Sequence, residues 1–195
     1  MKAPFENTLR KAKQNGDIVS IHYNPQDYED VYCGFVDCIR DGEFRLKIYR
    51  RYGRPDGWFA MRLDDIIIVD IGGEFELRLS YLIAHKPSPP LALSLPTVRN
   101  GSILYSTLRQ AKDANMVVKV NLTGGQYSVG GIVHAVDSHE LAISSFNTYG
   151  MGTGIETVRM ANVHSIELGD ADCLMAQHLH THQTEYLKFK QEHQK

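Results

Sequence analysis

Thr8-Leu9-Arg10-Lys11-Ala12-Lys13 returns as Thr107-Leu108-Arg109-Gln110-Ala111-Lys112, five identities in six at an offset of 99. From Gly34 to Gly72 the offset becomes 97, and the match to the segment from Gly131 to Gly169 runs without a gap. Eight of those 39 positions are identical: Gly34/Gly131, Val36/Val133, Glu43/Glu140, Tyr52/Tyr149, Gly53/Gly150, Gly57/Gly154, Arg62/Arg159 and Gly72/Gly169. Ordinary residue frequencies would supply about two or three. The offset changes where Pro25-Gln26-Asp27-Tyr28-Glu29-Asp30 faces the shorter Thr123-Gly124-Gly125-Gln126. A turn absorbs such a length change, so the chain reads as one unit written twice.

Between the copies stands Lys86-Pro87-Ser88-Pro89-Pro90, followed by Leu91 to Pro96, with four of the seven prolines. Proline removes backbone donors and favours extended geometry, which predicts a semi-rigid spacer outside either core. The expected organisation is a first unit over 1–86, a linker over 87–100 and a second unit over 101–195.

Each unit shows the same order of elements. Phe5, Leu9 and Ala12 fall on one helical stripe, with Asn7 as a candidate cap and Asn15-Gly16 as a stop; Leu104, Leu108 and Ala111 repeat the stripe. Five β-type runs follow, Ile18 to Tyr23, Val31 to Ile39, Phe44 to Tyr49, Trp58 to Arg62 and Ile66 to Ile71, separated by turn residues such as Asp41-Gly42 and Pro55-Asp56-Gly57. A final helix carries Phe75, Leu79, Leu82 and Ile83. In the second copy Asp170 or Asp172 would cap a longer one through Met175, Leu179, Tyr186 and Phe189. The expected fold is mainly β with flanking helices. Five short antiparallel strands must hide two sheet edges, and bending into a small barrel does so.

That order resembles the Sm/Lsm family. Gly34 opens an apolar strand running through Val36 and Ile39 into Asp41, and Arg62-Leu63-Asp64-Asp65-Ile66 leads into the last strand; Gly131, Val133, Val136, Asp137 and the stretch from Arg159 to Val163 repeat these features. The resemblance implies two tandem Sm-like five-stranded antiparallel barrels, each preceded by a short α-helix. It also implies the family's habit of closing rings by pairing the fourth strand of one unit with the fifth of the next. The tandem units would then pair internally, or three chains would make a six-unit ring. Two departures touch the family's nucleobase pocket. No asparagine stands near Glu43 or Glu140, and its Arg-Gly pair is here Arg62-Leu63 and Arg159-Met160.

Composition excludes several classes. At 43% apolar and 23% charged residues with a net charge of −2, the chain is not disordered. Its longest aliphatic run, Ile66 to Val69, is far short of the roughly 20 residues a membrane-spanning helix needs, and the polar stretch from Met1 to Lys13 predicts no secretory signal. Three cysteines are an odd number. Cys33 and Cys38 are expected on opposite faces of one strand, unable to bridge. These features predict a cytoplasmic protein.

No catalytic constellation, cofactor motif or metal site emerges. Gly150-Met151-Gly152-Thr153-Gly154 lies between strands and reads as a hairpin loop, and no Gly-x-Ser-x-Gly occurs. His178 and His182 share a helix face but make half a metal site. The stretch from Arg40 to Arg62 carries seven basic and three acidic residues, a local excess of +4. Arginine forks match phosphates and aromatic faces stack on unpaired bases. Arg45, Lys47, Arg50, Arg51 and Arg54 are therefore expected to meet phosphates of single-stranded RNA, and Tyr52 and Trp58 to stack on its bases. Arg62 is added by the resemblance. The matching second-copy stretch, Ser144 to Gly150, has no basic residue. The expected function is non-enzymatic RNA binding, with self-association through strand edges. The alternatives are a protein-interaction scaffold or an enzyme with a site between the units.

Overall fold

The first copy runs α1 (Pro4–Asn15), β1 (Ile18–His22), β2 (Val31–Arg40), β3 (Glu43–Tyr49), β4 (Pro55–Arg62), a 3-10 turn at Leu63–Asp65, β5 (Ile68–Ile71) and α2 (Glu74–His85). The second runs α3 (Ile103–Asp113), β6 (Val117–Leu122), β7 (Ser128–Val136), β8 (Glu140–Phe146), β9 (Gly152–Arg159), a 3-10 turn at Met160–Asn162, β10 (Val163–Leu168), α4 (Ala171–Thr181) and α5 (Gln183–His193). This computed structural model describes residues 4–27, 31–85, 95–124, 127–147 and 150–193.

The duplication holds to the level of strand register. Val19 faces Gly34 as Val118 faces Gly131, and Ile71 faces Val19 as Leu168 faces Val118. An irregularity interrupts β2 between Val36 and Cys38, and its counterpart interrupts β7 between Val133 and Ala135. At Gly34 a Cβ would run into the Lys47 carbonyl oxygen; at Gly131 it would run into that of Ser144, the same position 97 residues on. Both glycines are retained because the neighbouring strand approaches too closely for a side chain.

Separate closure of the halves is not what the strands do. All ten form one antiparallel sheet, in the order β5-β1-β2-β3-β4-β10-β6-β7-β8-β9. The halves are joined by β4 against β10, with Trp58 facing Leu168, Phe59 facing Glu167, Ala60 facing Ile166 and Met61 facing Ser165. The joint swaps faces. Phe59 and Met61 belong to the first core, whereas Ala60 and Trp58 lie in the second core with Ile166 and Leu168. Each half is also covered on its other face, by α2 over Ile18 and Cys33 and by α4 over Val117 and Phe146.

Several local expectations change. Asn7 lies inside α1 rather than capping it. The long terminal helix breaks at His182 into α4 and α5, although Asp170 does cap α4, accepting from the Cys173 amide at 2.7 Å. The proline-rich spacer over 86–94 lies outside the described residues. Its continuation contributes to a core, for Leu95 and Val98 are buried in the second cluster. The irregularity in β2 resets the alternation, so the face argument for Cys33 and Cys38 fails. Five residues of strand, about 16 Å, keep the two apart instead, and all three cysteines are free and buried. No helix among the described residues is long and apolar enough to cross a membrane.

Candidate functional site: the strand joint and its unused copy

Arg45 is one of the residues expected to meet phosphates. It is fully buried, because α3 lies across the outer face of β3. Its Nε donates to Asp37 at 2.8 Å, its two terminal nitrogens to Thr107 (3.3 Å), Gln110 (2.9 Å) and the Pro96 carbonyl (2.7 Å), and its guanidinium sits 5.0 Å above the Trp58 ring. Every arm of the fork is occupied, so Arg45 fastens the second half to the first. Trp58 is likewise buried in the joint, and its Nε1 has no hydrogen-bond partner among the described residues. Neither side chain is presented to a ligand.

Three more residues build the joint. Glu43 accepts from the Ser102 hydroxyl at 2.9 Å and from the Leu104 amide at 2.9 Å, placing a carboxylate at the positive end of α3. Arg62 donates to the carbonyls of Met160 (2.8 Å) and Ala161 (3.0 Å) in the 3-10 turn. Gly57, with φ +92°, lies where a Cβ would strike the Leu168 carbonyl and the Asp170 amide. The positive φ and the close approach of β10 both demand glycine there.

Glu43, Gly57 and Arg62 are three of the eight identities of the repeat. Their counterparts Glu140, Gly154 and Arg159 therefore make the same joint-building set on β8 and β9. Glu140 and Arg159 are exposed with no side-chain partner among the described residues. Gly154 keeps a positive φ of +129°, yet among the described residues nothing lies within 4 Å of the place its Cβ would occupy. Among the described residues β9 is an unpaired sheet edge, as is β5 at the other end. The two edges expose Ile155 (61%), Ile68 (39%) and Ile71 (36%). The signal for this second set was in the repeat itself, in which polar and glycine identities outlast apolar ones.

The remaining expected ligands sit apart, Lys47 on β3 and the others on the turn from β3 to β4. Arg50, Arg51 and Arg54 are exposed, Tyr52 is 66% exposed with Arg51 stacked 5.0 Å over its ring, and Lys47 lies half-buried 5.8 Å from the Tyr49 ring. Arg50 is held charged by its bond to Asp56. Of the eight expected residues, the turn gathers Arg50, Arg51, Tyr52 and Arg54, while the joint takes Arg45, Trp58 and Arg62.

A cleft of about 680 Å³ opens beside the joint, lined among others by Tyr23, Asp65, Lys119, Asn121, His164 and Glu167. Its charged groups are paired, once within the second half and once across the halves. Lys119 lies 3.1 Å from Glu167, and His164 Nδ1 lies 3.1 Å from Asp65. Tyr32, stacked 3.8 Å from Phe59, has its hydroxyl pushed far up by burial and then by neighbouring Glu167. The cleft is the kind of inter-unit pocket that would favour a catalytic reading. Among the described residues no serine, threonine or cysteine is bonded to His164, and no group of three metal-ligating side chains converges. The rings of His178 and His182 stack on each other at 4.3 Å. Comparison with family models, with curated proteins and with solved structures finds no match for the chain.

Proposed function

We propose that this protein is a self-assembling scaffold of two Sm-like units, in which β9 of one chain pairs with β5 of the next as β4 pairs with β10 inside the chain. The observation that carries the reading is Gly154. It has the identity and backbone sense of Gly57, whose seat is filled by the segment from Leu168 to Asp170, but its own seat is empty. The segment equivalent to that filling is Ile71-Gly72-Gly73, on the opposite edge. Carrying the internal register across by the repeat offset sets Ile155 against Ile71, Thr157 against Val69 and Val158 against Ile68, which covers the three exposed isoleucines. Glu140 would meet the first turn of α1 near the Phe5 amide, and Arg159 the carbonyls of Leu63 and Asp64. Such an interface is head-to-tail, so it closes into a ring or extends as a filament.

Light scattering tests the reading, because each chain has a mass of 22.0 kDa. At tens of micromolar and about pH 6, the expected mass is a multiple of one chain, three copies for a six-unit ring. Ile155→Lys spoils one edge and Ile71→Lys the other. Each variant alone should be monomeric, and their equimolar mixture should stop at a dimer through the one intact pair of edges. A wild-type mass of one chain, or assembly by either variant alone, overturns the proposal.

A second reading rests on the exposed turn. Arg50, Arg51 and Arg54 beside the open Tyr52 ring suit the phosphates and a base of single-stranded RNA. Binding of a short oligonucleotide should weaken steeply with salt, and replacing the three arginines with alanine should flatten that dependence. Absence of wild-type binding at low salt removes this reading.

A further inference from the structure

We infer that the junction between copies takes up a proton when it forms, so that assembly is favoured by mildly acidic conditions; this inference rests on the edge-pairing reading above. The same offset that sets Ile155 against Ile71 sets Glu156 directly against Asp70. At the internal joint that pair is Phe59 and Glu167, a ring facing one carboxylate. Between copies it becomes two carboxylates, and like charges directly opposite on paired strands repel.

The groups around the two pairs differ in the same direction. Glu167 is met by Lys119 at 3.1 Å and by the Asn121 amide at 2.8 Å. The residues that stand in their places beside Asp70 on β1 are Ser20 and His22. His22 Nε2 lies 2.9 Å from the Asp70 carboxylate, while the Ser20 hydroxyl is turned to Glu76 of α2. Glu156 accepts from the Tyr127 hydroxyl at 2.8 Å, and its cross-strand neighbour on β8 is Ile143. α1 also touches β5, but Glu6 and Arg10 of that helix pair with each other and Lys13 reaches the Asp37 carbonyl. Lysine is thus lost from this position and a second carboxylate is added, and among the described residues the basic side chain in contact with Asp70 is His22. Bringing Glu156 up to Asp70 favours the protonated imidazole, or one proton shared between the carboxylates. Both are proton uptake. In alkaline solution the same pair is an inward-pointing charge that blocks edge-to-edge pairing.

The experiment is the concentration dependence of mass at about pH 6 and about pH 8, where uptake of one proton changes the association constant about tenfold per pH unit. Wild type should associate at least about tenfold more tightly at the lower pH. Glu156→Gln and Asp70→Asn should each associate at the higher pH about as well as wild type does at the lower, with little pH dependence left. Equal wild-type association at both values would overturn the proton linkage and leave edge pairing intact. Persistence of the pH dependence in both variants, or association that instead requires added calcium or zinc, would also overturn the linkage. Wild type and Glu156→Gln that stay at the mass of one chain at both values would remove the edge-pairing reading, and this inference with it.

Discussion

Arg45 shows how far a residue's neighbours in space can redirect its role. Its charge and strand position suit a ligand surface, yet four oxygen partners and a tryptophan ring enclose it. Removing the guanidinium while leaving Asp37 nearly buried strands a carboxylate without its cation. Arg45→Ala is therefore expected to destabilise the protein by about 3–5 kcal/mol, read as a drop in the denaturant midpoint. Arg50→Ala, on the exposed turn, should change it by less than about 1 kcal/mol. Equal, small losses would mean that Arg45 does not fasten the halves. The cysteines show the same effect of surroundings. Burial first, and then the nearby Asp37 carboxylate, pushes the Cys38 thiol up to about 11, which keeps it unreactive near neutrality.

At the scale of elements, pairing is set by the strands and directed by the turns between them. The turn from β7 to β8 is held by Asp137, whose carboxylate accepts from the amides of His139 (2.7 Å) and Glu140 (2.8 Å). Those bonds favour the ionised form and hold the carboxyl below its usual range. A folded-state value below the unfolded one adds stability above the unfolded value, about 3.9, and loses it as the pH falls through the folded one. Asp137→Ala should therefore melt below wild type at about pH 7, with the gap narrowing as the pH falls below about 3.9. A gap of constant size would assign the loss to something other than the charge. The helices follow a similar division of labour. α1 buries Leu9 and Ala12, whereas α3, pressed between the halves, buries five residues from Ile103 to Ala111.

Across the whole molecule, the joint is a single event drawn twice in the sequence and realised once. One copy of the fourth strand has its partner within the chain, and the other ends the sheet. The proposed pairing between copies repeats the geometry of β4 and β10 with a different charge opposite it, so the expected assembly is responsive where the internal joint is permanent. The edge-variant mixture and the pH series belong at this scale, because neither readout can be traced to one half alone.

Duplication, strand order and the turn glycines were legible in the chain, since periodicity and backbone geometry are local and repeat at a fixed offset. The break at His182, the reset alternation in β2 and the burial of Leu95 were not, because each depends on packing that no single stretch encodes. The place of Arg45, Trp58 and Arg62 in the joint was not legible for the same reason: an arginine on a strand has one meaning beside water and another beneath a helix. Which faces α3 would cover, and which strand edge would be left open, were decided only when the two halves came together, because burial is a property of the contact and not of the residue.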